Sequence, residues 1–120
     1  MIEEHEPYLR AWRARDAESA GRARELASRA RGIAERLART LRGGFGARRV
    51  WLIGSTCIPE SFKTTSDIDL VVEGLPIDQL FRAGADLERD AEGFRVDLIP
   101  FESATPGLLS ILKAEGILLE

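Results

Sequence analysis

The chain has 120 residues, 44% apolar and 31% charged, with one cysteine, one histidine and a formal net charge of −3. This length suits one domain with its own core, the lone Cys57 excludes a disulfide framework, and His5 with Cys57 offers almost nothing for a zinc site or a His-based triad. No apolar stretch approaches the roughly 18 residues of a membrane span, and the acidic start Met1–Pro7 lacks the positive charge of a secretory leader, so a cytoplasmic protein whose chemistry runs on carboxylates is expected.

Charge divides the chain. Residues 1–42 hold ten arginines and seven acids, while residues 43–120 hold seven basic and thirteen acidic side chains. Glu18–Arg22, Glu25–Arg29 and Glu35–Arg39 each lie four apart with the acid first, the order that supports a helix. The arginines therefore read as a solvated helical face, and no direct DNA binding is expected. Leu26, Ala30, Ile33, Ala34, Leu37 and Leu41 repeat at helical spacing. They predict one long helix over 7–42, or two broken near Ser19–Gly21, stopped by Gly43 and Gly44. Tyr8, Leu9 and Trp12 fall on a neighbouring stripe. They either fold back or cover a partner or a second copy of the chain, a homodimer through this arm.

After Gly46 the apolar period changes from helical to strand-like. Residues 49–53 predict a first strand, with Trp51 most simply in the core, and residues 55–66 a polar loop. Residues 68–72 predict a second strand, and Pro76 opens a helix that runs to about Glu92 and stops at Gly93. A third strand over 94–99 is broken by Pro100. Thr105 and Pro106 cap and start a last helix ended by Gly116, followed by a short strand or tail at 117–119. The expected fold is α/β: a small mixed sheet of three or four strands, helices packed on it, and a long N-terminal helical arm. Residues 1–46 form the helical segment and residues 47–120 the core of a single domain.

The carboxylates carry the chemistry. Asp67 and Asp69 flank Ile68, and strand alternation points both to one face, about 6.6–7 Å apart, with Ile68, Leu70 and Val72 turned to the other. Like charges at this spacing repel and raise each other's pKa unless a cation intervenes, and Mg²⁺ is a natural one for oxygen donors. Asp97 sits in the same context between Val96 and Leu98. Three acids on adjacent strands could hold two metals roughly 3.5–4 Å apart, the geometry of in-line phosphoryl or nucleotidyl transfer. Asp is also frequent at strand starts, so the Asp-Ile-Asp triplet alone is a weak signal. Gly54-Ser55 strengthens it, because a strand that ends in Gly-Ser and turns into a helix start exposes N–H groups to phosphate.

The set Trp51–Ser55, Ser66–Val72 and Val96–Leu98 resembles the nucleotidyltransferase superfamily related to DNA polymerase β, and within it the minimal nucleotidyltransferases that partner HEPN-domain ribonucleases in toxin–antitoxin pairs. The resemblance covers about residues 48–120. It implies that Gly54 and Ser55 bind the nucleoside triphosphate, with Ser66 and Lys63 as further nucleotide-binding candidates. It also implies that Asp67 and Asp69 ligate Mg²⁺, and that Asp97 is the third acid, placed to help a second ion activate the attacking hydroxyl. The implied reaction moves AMP from ATP to a tyrosine of a HEPN partner, silencing its nuclease. The segment Thr56–Ser66 is one residue longer than is usual in the family, lacks its Arg-Gly, and carries Glu60. The alternative is therefore an antitoxin that neutralises its partner by contact, with an impaired site.

Overall fold

The computed structural model describes residues 2–54 and 67–120, with side chains except for residues 2–9 and 12. Tyr8, Leu9 and Trp12 thus lie outside the described side chains, as do all features of the 55–66 loop.

The apolar stripe of the first segment forms one unbroken helix, α1 (Ile2–Gly44), longer at its start than the sequence predicts and with no break near Gly21. Ala27, Ala30, Ile33, Ala34, Leu37, Ala38 and Leu41 are buried, whereas residues 13–19 are exposed on every side. Only the last part of the helix is therefore anchored, and the rest projects as an arm. This gives principal extents of 63 × 31 × 21 Å and a radius of gyration of 17.9 Å, against about 14 Å for a compact chain of this length.

The strands are β1 (Arg49–Ile53), β2 (Ile68–Glu73), β3 (Val96–Pro100) and β4 (Ile117–Leu119). They form one sheet in the order β3-β2-β1-β4. β1 pairs antiparallel with β2 and β4, and β2 pairs parallel with β3, so the sheet is mixed as expected. Parallel neighbours need a crossover. It is supplied by a 3₁₀ turn at Ile77–Gln79 and α2 (Leu80–Arg89), where the sequence predicts one longer helix. Pro100 ends β3 from inside the strand, on an outer strand where the missing N–H costs no ladder bond. A second 3₁₀ turn, Phe101–Ser103, leads to α3 (Pro106–Glu115), whose start is capped as the sequence predicts. The Thr105 hydroxyl oxygen accepts from the Leu108 N–H at 3.2 Å.

Alternation gives the sheet two unequal faces. Val50, Leu52, Ile68, Leu70 and Val72 are fully buried against the α1 stripe and against Ala83 and Leu87 of α2. On the other face Ile53 and Val71 pack with Leu112 of α3, beside Trp51, Ile99 and Phe101. Trp51 therefore lies outside the main core. It is partly exposed, stacked on Phe101 at 5.2 Å between ring centroids, with the Arg49 guanidinium 4.9 Å from its centre. Arg49 also grips Glu73 through two bonds of 2.8 and 2.9 Å, which ties β1 to β2 at the end opposite Ile53. Polar straps fasten α1: Arg42 donates to the Leu119 carbonyl, and Arg36 to the Asp90 carbonyl at 2.6 Å. Among the described residues no helix is long and apolar enough to cross a membrane.

Because Leu37 is wholly buried between α1 and the sheet, Leu37→Ala is expected to cost about 2–5 kcal/mol in urea unfolding. Glu18→Ala on the projecting arm should change it by no more than about 0.5 kcal/mol.

Candidate active site

Register brings the acids together. Ile53 of β1 pairs with Asp69 of β2, and Asp69 pairs with Asp97 of β3, so one row crosses three strands at one end of the sheet. Asp67 lies two residues before Asp69, on the side of β2 that carries Asp69 and Val71. Asp67 and Asp69 are partly buried and Asp97 is exposed. The apolar cluster of Ile53, Val71 and Leu112 lies beside this end of the face.

Burial pushes the Asp69 carboxyl up from the usual 3.8 to about 6, and the negative charges of Asp97 and Asp67 add to the effect in that order. The repulsion read from the triplet is thus felt at Asp69, and the distant Asp97 contributes more to it than the near neighbour in sequence. Among the described residues no group of three or more His, Cys, Asp or Glu is drawn together as a ready metal cage.

Gly54 closes the row. Its φ is +84°, and a Cβ there would lie 2.5 Å from Asp69 Oδ2. Glycine is needed twice over, for the left-handed backbone and because the Asp69 carboxylate occupies the side-chain position. No local signal foretells this contact, since Gly54 and Asp69 meet only through the β1–β2 pairing. Ser55, Lys63 and Ser66, the other nucleotide-binding candidates, lie outside the described residues, as do Cys57, Glu60 and Phe62. Glu88, which no local pattern marks, accepts the Val96 N–H at its Oε1 at 3.2 Å and so bounds the outer edge of β3 one residue before Asp97.

Two outcomes follow for stability. The native state holds the Asp69 proton more tightly than the unfolded chain, so stability falls as pH rises from about 4 through about 6. Asp69→Asn should therefore stabilise the fold at pH 8 by about 1 kcal/mol, after discounting for solvent screening, and by nothing below pH 3.8. Gly54→Ala should cost about 1–3 kcal/mol, and Asp69→Ala in the same chain should recover part of it, a coupling that a double-mutant cycle in urea measures.

No family profile and no curated protein matches the chain. Solved structures do. A chain of a toxin–antitoxin complex crystallised with AMP-PNP is 23% identical, with 72% of each chain covered and a TM-score of 0.60. A chain of the toxin–antitoxin MntA–HepT is 21% identical over 75% of this chain and 71% of that one, at a TM-score of 0.58. A provisionally assigned minimal nucleotidyltransferase is 28% identical over 79% of this chain and 93% of its own, at 0.57. With its mixed four-stranded sheet and long first helix, the chain has the minimal-nucleotidyltransferase fold that its motifs resemble.

Proposed function

We propose that the protein is a Mg²⁺-dependent nucleotidyltransferase that moves AMP from ATP onto a hydroxyl acceptor, a tyrosine of a HEPN-domain partner, and thereby acts as an antitoxin. The observation that carries this reading is the row in which Asp69, raised to about 6, sits against Gly54 and faces the charges of Asp97 and Asp67. The shared fold supports the reaction class. AMP-PNP in one similar complex supports the nucleotide, and MntA–HepT supports the partner class.

The donor set suits the ion. Asp67, Asp69 and Asp97 offer carboxylate oxygens only, and the repulsion at Asp69 is what a divalent cation removes. Mg²⁺ held there supplies charge neutralisation for the triphosphate and the leaving pyrophosphate. Gly54 lets a phosphate approach the backbone, with Ser55, Ser66 and Lys63 as its polar contacts. Asp97, the exposed acid, accepts the proton of the acceptor hydroxyl. The hydroxyl oxygen then bonds to the α-phosphorus as the bond from that phosphorus to pyrophosphate breaks. Catalysis is mainly positioning, with little covalent work for the protein.

The test is incubation with a HEPN partner and ATP, with and without Mg²⁺, read as a mass gain of one AMP unit on the partner. Asp67→Asn, Asp69→Asn and Asp97→Asn should each cut transfer at least about a hundredfold, and chelation of Mg²⁺ should abolish it. Partner neutralisation that persists with no mass gain and no Mg²⁺-dependent ATP binding would replace this reading with neutralisation by contact.

A further inference from the structure

β3 is an outer strand, and the phase of its pairing decides what its free edge offers. The Ile68 N–H donates to the Arg95 carbonyl at 2.8 Å, and Asp69 pairs with Asp97. In a parallel ladder this turns the backbone groups of residues 95, 97 and 99 towards β2 and those of Val96 and Leu98 outward. Glu88 takes the outward N–H of Val96, and Pro100 has none to offer. The usable edge is therefore short: the carbonyl of Val96 and both groups of Leu98.

Beside this edge runs a groove of about 320 Å³ between α2 and β3, and Asp97 lines it. Its α2 wall is low because Gly84 and Ala85 stand there, and nothing lies within 4 Å of where a Gly84 Cβ would be. Its rim carries Phe81, 88% exposed, and Ile77, 71% exposed, stands on the turn before it. A strand edge facing a helix across a trough, here largely apolar with Glu88 and Asp97 as its charged lining, is the arrangement that accepts an extended peptide as an added strand.

We infer that the acceptor polypeptide docks in this groove as an extra strand on β3, with its hydroxyl residue opposite Asp97. Alternation then specifies the segment. A residue opposite Asp97 turns its side chain onto the acidic face, with its Cβ about 4.5–5.5 Å from that of Asp97. Its two neighbours turn the other way, towards Phe81, Gly84 and Ala85. The preferred acceptor is thus apolar–hydroxyl–apolar, and the groove is continuous with the acidic site because Asp97 belongs to both. The inference rests on the transferase reading for its hydroxyl, but not for its groove.

Two fluorescent peptides of one composition separate the two, Gly-Lys-Val-Tyr-Val-Lys-Gly and Val-Lys-Gly-Tyr-Gly-Lys-Val, added to the full chain with Mg²⁺ and ATP. Binding is read by anisotropy and adenylylation by mass. The first peptide should bind at least tenfold more tightly than the second. Gly84→Leu, which fills the groove, and Phe81→Ser, at an exposed position, should each erase that preference in chains that melt as the parent does. Ala85→Leu serves as a second filler, and Asp97→Asn should keep binding while losing transfer. Equal binding of the two peptides, no binding of either, or a preference that survives both fillers overturns the docking inference, even if both peptides are adenylylated. Selective binding without adenylylation upholds the groove and counts against the transferase reading alone.

Discussion

The two faces of β2 impose opposite demands on the chain, and most of the architecture answers them. Ile68, Leu70 and Val72 are fully buried on one face, while Asp69 must keep contact with solvent on the other. A slip of one residue against either neighbour would send carboxylates into the α1–α2 layer and leucines into water. That cost fixes the pairing with β1 and β3 at once. The same pairing sets Ile53, Asp69 and Asp97 in one row and brings Gly54 onto the Asp69 carboxylate.

The second face is built to a different standard. Its apolar cluster is small, capped among the described residues by α3, and completed by partly exposed groups such as Trp51 and Phe101. Among the described residues it supports the centre of the face and does not reach over the acidic end. The main core therefore bears the folding load, and the acids are tolerated at its margin with Asp69 only partly buried. Like charges are thus concentrated where they are destabilising, beside a glycine at which a Cβ would meet the Asp69 carboxylate.

Much of this was legible in the sequence, for identifiable reasons. The α1 stripe and the strands at 49–53 and 68–72 have clean periods. Thr105-Pro106 and Gly116 are local end signals that need no tertiary help. Asp67, Asp69 and Asp97 stood out because each interrupts or borders an apolar strand. Trp51 was misplaced because a five-residue run of apolar character does not say which face is the main core, and only α3 on the far side explains it. Ala27 and Ala38 join the core without standing out, since small side chains add little to an apolar period. Gly54 against Asp69 and Glu88 against Val96 depend on pairing between distant segments, which no local pattern encodes.

The projecting part of α1 has a direction as well as a length. The helix leaves the core near Leu26 and Arg29, and Arg29 lies over Phe94 at 5.9 Å, just before β3 begins. β3 and β2 both begin at the acidic end, where β1 finishes. Some 24 residues of helix, roughly 36 Å, therefore extend from the same end of the molecule as the carboxylates. The other end holds the Arg49–Glu73 clasp and the tight turn at Gly74. The protein is thus polarised like a mast stepped at its acidic end, and a body lying along the arm meets that end from the α1 side of the sheet, away from the far pole.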